Sequence, residues 1–269
     1  MSYQIAFSDI DGTLLNKERV PSELLKKEVA RITEANVPFI LISSRMPSAM
    51  THIQATLNIS GLPLICYNGG LVLVDDKVIH TCSIPVEAVQ VIHELNSGNE
   101  FHISLYNQDD WYVESMDYWA KREENNTKVS PTIKPTSEVI HAWKASNKGA
   151  HKVMCMGDKN ELDKLVTALT SQFADQLHLY RSKDTYLEIA NKEISKLTGI
   201  NTLLANRYPG LSLTNCIAFG DNYNDIEMLE AVGLGVAVAN AKPEVLAVTD
   251  KTTESNYENG VANALARFV

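Results

Sequence analysis

Four apolar runs in this chain each stop abruptly at a cluster of small, polar or acidic residues. Ile5-Ala6-Phe7 leads into Asp9, Asp11, Gly12 and Thr13, and Phe39-Ile40-Leu41-Ile42 leads into Ser43, Ser44 and Arg45. Leu62 to Cys66 leads into Asn68, Gly69 and Gly70, and Cys216-Ile217-Ala218-Phe219 into Gly220, Asp221, Asn222, Asn224 and Asp225. Short runs without polar alternation suit strands buried on both faces, the situation in parallel sheets covered by helices. Helical periodicity fills the intervals. Leu24, Leu25, Val29 and Ile32 recur after Ser22, placed as a cap with Glu23 in the first turn, and a second helix is expected from Ser48 to Leu57. Strand, helix, strand, helix, strand predicts an α/β fold with a Rossmann-like parallel-sheet core.

The alternation breaks after the third run. Leu71-Val72-Leu73-Val74, an Asp75-Asp76 turn and Val78-Ile79 read as a hairpin. Beyond Pro85 the expected strands have mixed polar faces (Phe101 to Leu105, Trp111 to Glu114, Lys152 to Met156, Leu177 to Tyr180), with helices at Val86 to Leu95 and Asn160 to Phe173. The parallel-sheet texture resumes with Cys216 to Phe219, a helix from Asp225 to Val232 and a strand at Gly235 to Val238. The reading is a core of residues 1–84 and 189–269 interrupted by an inserted α+β cap of residues 85–188, close to the commonest domain size. Trp111, Trp119 and Trp143 are expected to pack inside this insert.

Charge and cysteine usage narrow the partners. Acidic residues outnumber basic ones 33 to 24, a net charge of −9 that offers no positive field to nucleic acid or anionic lipid. No apolar run approaches the roughly 20 residues needed to cross a bilayer, and an acidic residue follows soon after Met1. A soluble cytoplasmic protein, monomer or homodimer, is expected. Cys66, Cys82, Cys155 and Cys216 form no C-x-x-C pair, so they read as four free thiols rather than a zinc or redox site.

Ligands of open parallel sheets bind beyond the carboxyl ends of the strands, where these four clusters would gather. Asp9, Asp11, Asp221 and Asp225 in one cleft would repel one another, and a hard divalent cation is the natural compensation. Carboxylate oxygens with retained water suit Mg²⁺, which commonly takes one or two carboxylates plus phosphate oxygen, so the expected substrate is a small-molecule phosphate ester. Ser43, backbone amides near Ser44 and a lysine ammonium are suited to the remaining phosphate oxygens. Taken singly, each aspartate suits a turn or a helix cap, Asn68 with Gly69 and Gly70 suits a tight turn or substrate contact, and Arg45 suits either substrate contact or, the preferred reading, an anchor for a neighbouring carboxylate.

Asp9-Ile10-Asp11-Gly12-Thr13-Leu14-Leu15 resembles the first motif of the haloacid dehalogenase superfamily, and Gly220-Asp221-Asn222-Tyr223-Asn224-Asp225 through Leu229 resembles the fourth. With Asn68-Gly69-Gly70, the insert and the stretch from Ser255-Asn256 to Asn259-Gly260-Val261-Ala262, the chain resembles Cof-type phosphatases over essentially its whole length. The resemblance implies Mg²⁺-dependent hydrolysis through an aspartyl-phosphate, with Asp9 as nucleophile and Asp11 as general acid and then base. It implies metal binding by Asp9, Asp221 and the backbone carbonyl of Asp11, with Asp225 holding a metal-bound water or orienting its neighbours. Ser43, Ser44, Asn68, Gly69 and Asn224 would contact phosphate or substrate. The third-motif lysine matches Lys196 in Ile194-Ser195-Lys196, with Lys192 as the competitor. Two departures stand out: Ser43-Ser44-Arg45 replaces the usual Thr-Gly-Arg, and Leu197 replaces the glycine that often follows the lysine. A phosphomutase on the same scaffold and a non-enzymatic phosphoacceptor of receiver type are the alternative functions.

Overall fold

The computed structural model describes residues 3–249 and 251–269. In chain order the first segment contains β1 (Ile5–Ser8), α1 (Glu23–Glu34), β2 (Phe39–Ile42), α2 (Ser48–Thr56), β3 (Leu64–Cys66), β4 (Leu71–Val74) and β5 (Lys77–Thr81). The middle segment contains α3 (Val86–Leu95), β6 (Phe101–Asn107), β7 (Asp110–Val113), α4 (Tyr118–Thr127), β8 (Thr132–Ile133), α5 (Thr136–Ser146), β9 (Lys152–Gly157), α6 (Lys159–Phe173), β10 (Leu177–Lys183) and β11 (Tyr186–Asn191). The last contains α7 (Lys196–Arg207), β12 (Cys216–Gly220), α8 (Ile226–Ala231), β13 (Leu234–Val238), α9 (Pro243–Val248), β14 (Lys251–Thr253) and α10 (Gly260–Phe268). Two compact units result: residues 1–81 with 195–269, and residues 82–194.

The first unit is built on an eight-stranded sheet of order β14-β13-β12-β1-β2-β3-β4-β5. Its strands from β14 to β3 are parallel, whereas β4 and β5 are antiparallel. Ile5, Ala6, Phe7, Phe39, Ile40, Leu41, Ile42, Ile217, Ala218 and Phe219 have no solvent exposure, which explains their unbroken apolar composition. The chain runs outward from β1 through β2 and β3, then returns to the other side of β1 as β12, β13 and β14. The reversal falls between β1 and β12, the place where open α/β sheets bind ligands at their carboxyl edge. Helix α1 is capped by Ser22, whose Oγ accepts from the Leu25 N–H at 3.2 Å, and it buries Leu25, Val29 and Ile32. The expected hairpin is β4–β5, and Asp75 and Asp76 both have positive φ, +50° and +59°, as a two-residue primed turn requires.

The second unit has a six-stranded sheet of order β10-β11-β9-β6-β7-β8, antiparallel except for β7–β8. Helices α3, α5 and α6 bury Ile92, Trp143 and Leu165 against Ile103, Leu105, Val153, Cys155 and Leu187 of the sheet. Trp111 is also buried, with its Nε1 donating to Ser104 Oγ at 3.0 Å. Two expectations need correction here. Among the described residues this unit has four helices rather than two, because α4 and α5 lack a clear apolar stripe in sequence. Strand β11 pairs with β9 as far as Ile189 and with β10 as far as Asn191, so the insert sheet runs past residue 188. All four cysteines are free, and no helix among the described residues is long and apolar enough to cross a membrane.

Candidate active site

The site grows from the carboxyl ends of β1 and β12, whose register pairs Ser8 with Phe219. Asp9 continues β1 and its N–H donates to Phe219 O at 3.0 Å, which fixes the residue immediately beside the loop that carries Asp221. Gly12 has φ +88°, and a Cβ there would fall against the Asp221 carboxylate. Only glycine lets the first loop pass this close to the fourth. Thr13 Oγ1 then donates to Asp221 Oδ1 at 2.8 Å. The C-terminal stretch braces the same loop: Asn240 Nδ2 donates to Gly12 O at 2.7 Å, and Asn256 Nδ2 to Leu15 O at 2.7 Å.

Lys196 is the first residue of α7, whose start is fixed by a capping box between Ser195 and Thr198. Its side chain has no solvent exposure, and Nζ lies 2.5 Å from Asp9 Oδ1 and 2.6 Å from Asp225 Oδ1. Asp225 is also fully buried, and its other oxygen accepts the N–H groups of Asp221 and Asn222, both at 2.9 Å. Asp225 therefore holds the Asp221 loop and the lysine in one arrangement. Lys192 has other partners, Ala174 O at 2.9 Å and Asp175 at 3.8 Å, in the second unit. Of the two lysines, Lys196 is the one that contacts Asp9 and Asp225.

Ligand oxygens of Asp9, Asp221 and Asp225 lie within 4.8 Å of one another. One ammonium balances three carboxylates, an incomplete compensation at this depth. Burial pushes the Asp9 carboxyl well above its usual range; the attraction of Lys196 opposes the rise, and the charges of Asp225 and Asp221 add to it. Asp221 is pushed up to about 6, again chiefly by burial, with Asp225 reinforcing the shift. Burial acts to lower Lys196, but Asp225 and Asp9 outweigh it and hold the ammonium above its ordinary value. The donor set fits a hard, oxygen-seeking divalent cation, which would supply the missing positive charge.

The Asp11 side chain points elsewhere. Arg45 grips it with both arms of a fork, Nε to Oδ2 at 2.7 Å and Nη2 to Oδ1 at 2.8 Å, while Nη1 is anchored on Ala49 O at 3.0 Å. Arg19 adds a third contact, Nη2 to Oδ1 at 2.9 Å. Burial pushes this carboxyl up, but the Arg45 hydrogen bonds and the charges of Arg45 and Arg19 hold it below its usual value. The side chain of Asp11 thus lies outside the aspartate cluster, leaving only its backbone carbonyl for the role the resemblance gives it at a metal. Arg45 is the carboxylate anchor that the sequence suggested; Arg19, a lone arginine in no motif, carried no signal.

The other strand ends are drawn in by hydrogen bonds. Ser43 is buried after β2, its N–H donating to Ile65 O at 3.0 Å and its carbonyl accepting from Asn68 N–H at 2.9 Å. Ser44 follows it, partly exposed. Tyr67, Asn68 and Gly69 all have positive φ, which turns the chain sharply after β3. Asn68 Oδ1 accepts from Asn224 Nδ2 at 3.0 Å and so ties the third loop to the fourth. Gly69 packs directly on the Ser195 carbonyl, where a Cβ would collide, so its lack of a side chain lets α7 start against this loop.

The protein-family model described as haloacid dehalogenase-like hydrolase matches residues 6–265. A Haemophilus influenzae protein provisionally named a phosphatase is 30% identical over 267 residues, covering 97% of each chain. The HMP-PP phosphatase of Shigella flexneri serotype 5b is 27% identical, covering 92% of this chain and 88% of its own. Among solved structures, a haloacid dehalogenase-like hydrolase from Bacteroides thetaiotaomicron is 26% identical with TM-score 0.89 over the full length of both chains. A Thermotoga maritima protein is 27% identical with TM-score 0.88, covering 99% of this chain and 98% of its own. The chain belongs to the haloacid dehalogenase-like hydrolase family. Within it, the chain is a phosphatase, a phosphoric monoester hydrolase.

Proposed function

We propose that this chain is a Mg²⁺-dependent phosphatase that hydrolyses a small phosphate ester through an aspartyl-phosphate on Asp9. The observation that carries the reading is the contact of one buried ammonium, Lys196, with both Asp9 and Asp225, beside Asp221 on the neighbouring strand. Asp9, Asp221 and the Asp11 carbonyl would hold Mg²⁺, which when bound supplies charge that draws the anionic ester toward the carboxylates. Asp225 keeps the Asp221 loop and Lys196 in place through its two occupied oxygens.

An Asp9 carboxylate oxygen attacks phosphorus in line with the ester oxygen; the O–P bond to Asp9 forms as the P–O bond to the alcohol breaks. Asp11 first takes up a proton from solvent, against the pull of Arg45 and Arg19, and gives it to the departing oxygen; it then takes a proton from the water that attacks the aspartyl-phosphate, releasing phosphate and restoring Asp9. Lys196 counters charge spreading over the phosphoryl oxygens, and Ser43 with the amides near Ser44 supplies further donors. Asn68 and Asn224, joined side chain to side chain, line the ester's approach, and Gly69 keeps their loop close to α7.

The insert is read as the unit that selects among substrates, which insert substitutions that reorder relative rates would support. The name of the Shigella relative favours a cofactor-precursor or related metabolite phosphate over a macromolecular substrate. The four free cysteines fit a reducing cytoplasmic setting. A panel of metabolite phosphates with Mg²⁺, read by released inorganic phosphate, tests the proposal. Steady release favours hydrolysis; isomerised sugar phosphate without release would favour a mutase.

A further inference from the structure

We infer that Arg19 recognises a second anionic group, a carboxylate or a further phosphate, carried by the alcohol portion of the substrate close to the ester oxygen. This rests on the phosphatase reading, because it takes Asp11 as the residue that meets the departing oxygen. Arg45 alone already holds Asp11 at both carboxylate oxygens: it is buried, and its remaining arm is fixed on Ala49 O. Arg19 is redundant for holding that carboxylate. It makes a single contact from a half-exposed guanidinium, and the other donors of its fork have no protein partner among the described residues.

An exposed ion pair of this kind contributes little to stability, so stability does not account for it. Nor does Arg19 lie on a slack segment. The turn from Asn16 to Val20 is closed by Asn16 Oδ1 accepting from Val20 N–H at 3.0 Å, Arg19 N–H to Asn16 O at 3.0 Å, and Asn16 N–H to Val20 O at 3.2 Å. Arg19 itself has φ +60°, a conformation glycine would adopt freely and an L side chain adopts at a cost. A tight turn therefore holds a guanidinium with open donors beside the carboxylate proposed to protonate the leaving group.

Its chemistry defines the ligand. A planar guanidinium matches carboxylate and phosphate oxygens in a two-point contact. A substrate bearing a second negative charge would otherwise face a protein of net charge −9 and a cluster of aspartates, so it needs a dedicated cation on its leaving-group side. When such a group arrives, Arg19 can move from Asp11 to the substrate, while Arg45 keeps Asp11 in position.

The test uses matched substrate pairs with the full chain and Mg²⁺. 2-Phosphoglycerate against glycerol 2-phosphate isolates a carboxylate, and ethane-1,2-diol bisphosphate against its monophosphate isolates a second phosphate. The expected result is a wild-type preference, in kcat/KM, for the extra anion in at least one pair. In Arg19→Ala that preference falls roughly ten-fold or more, mainly through KM, in keeping with loss of a charge-assisted contact. Arg19→Lys should recover part of it, and the pair that responds names the anion. Absence of a wild-type preference, a preference that Arg19→Ala leaves unmoved, or an equal loss for both members of each pair would overturn the assignment. Asp9→Asn, assayed alongside, separates the two failures: turnover that survives it sinks the phosphatase reading, whereas turnover lost with an unmoved Arg19 ratio sinks only the role of Arg19.

Discussion

The Lys196 ammonium lies 2.5 Å from Asp9 Oδ1, a contact between residues 187 positions apart in sequence. It forms because α7 begins at Lys196, against the loop that Gly69 allows to approach, and because β1 ends one residue before Asp9. Removing the ammonium leaves Asp9 and Asp225 buried with no cation between them. Lys196→Ala should therefore cost about 3–5 kcal/mol of stability and reduce turnover by roughly 100-fold or more. Denaturant unfolding and phosphate release measure the two effects. Lys192→Ala, whose contacts are Ala174 O and Asp175 on the exposed surface, should stay near wild type in both.

Asp11→Asn should lose nearly all turnover of alkyl phosphates while retaining Mg²⁺ affinity, because only the backbone carbonyl of Asp11 is assigned to the cation. Titration calorimetry with Mg²⁺ beside the activity assay checks both halves. A large fall in affinity would place the side chain at the ion.

The stability given by Mg²⁺ should depend on pH with a definite sign. Asp221 has a folded-state value raised to about 6. Between its unfolded value near ~4 and its folded value the native state binds more protons than the unfolded one, so in the absence of cation its contribution to stability is present at low pH and lost as pH rises through about 6. A cation that binds the carboxylate competes with that proton. The rise in Tm on adding Mg²⁺ should therefore grow as pH increases across this window, and most of that growth should vanish in Asp221→Asn. Thermal scans with and without Mg²⁺ from pH 4 to 8 read this directly.

Gly69→Ala should destabilise the protein by at least about 2 kcal/mol and slow turnover. Its φ of +100° strains any L side chain, and the new Cβ would collide with Ser195 O and shift the start of the helix that presents Lys196. Gly210→Ala is the control: a Cβ there meets nothing within 4 Å, and stability should be unchanged or slightly higher.

Core strands and acidic loops were readable because burial on both faces leaves no room for polar residues, and each run ends where the sheet does. Strand–helix alternation also predicts a parallel sheet, whereas the strand order that brings Asp9 beside Asp221 comes from the structure. The insert was harder. Helix α4 buries only Ala120 and Thr127 among its ten residues, so its sequence has no stripe to detect. In α5 the buried Val139, Ile140 and Trp143 are diluted by polar neighbours. Helix α10 buries Val261, Ala262, Ala264 and Leu265, yet small residues and a start after a left-handed Asn259 conceal it. Within the site, Asp9, Asp11, Asp221 and Asp225 stood out by spacing. Arg45 was legible as an anchor, but its pairing with Asp11 and the added contact of Arg19 depend on loops folding back across 34 and 8 residues, which no local pattern encodes. The sequence offered Gly69 for a tight turn or a substrate contact, and gave no sign of its close approach to the Ser195 carbonyl.

In the proposed mechanism Asp9 carries the phosphoryl group during turnover. Rapid acid quench of wild-type protein mixed with Mg²⁺ and a turned-over phosphate ester, followed by peptide mass measurement, tests it. A phosphoryl adduct on the peptide containing Asp9, appearing before phosphate release reaches steady state and absent in Asp9→Asn, is the predicted result. An adduct on another residue, or steady turnover by Asp9→Asn, would contradict the account.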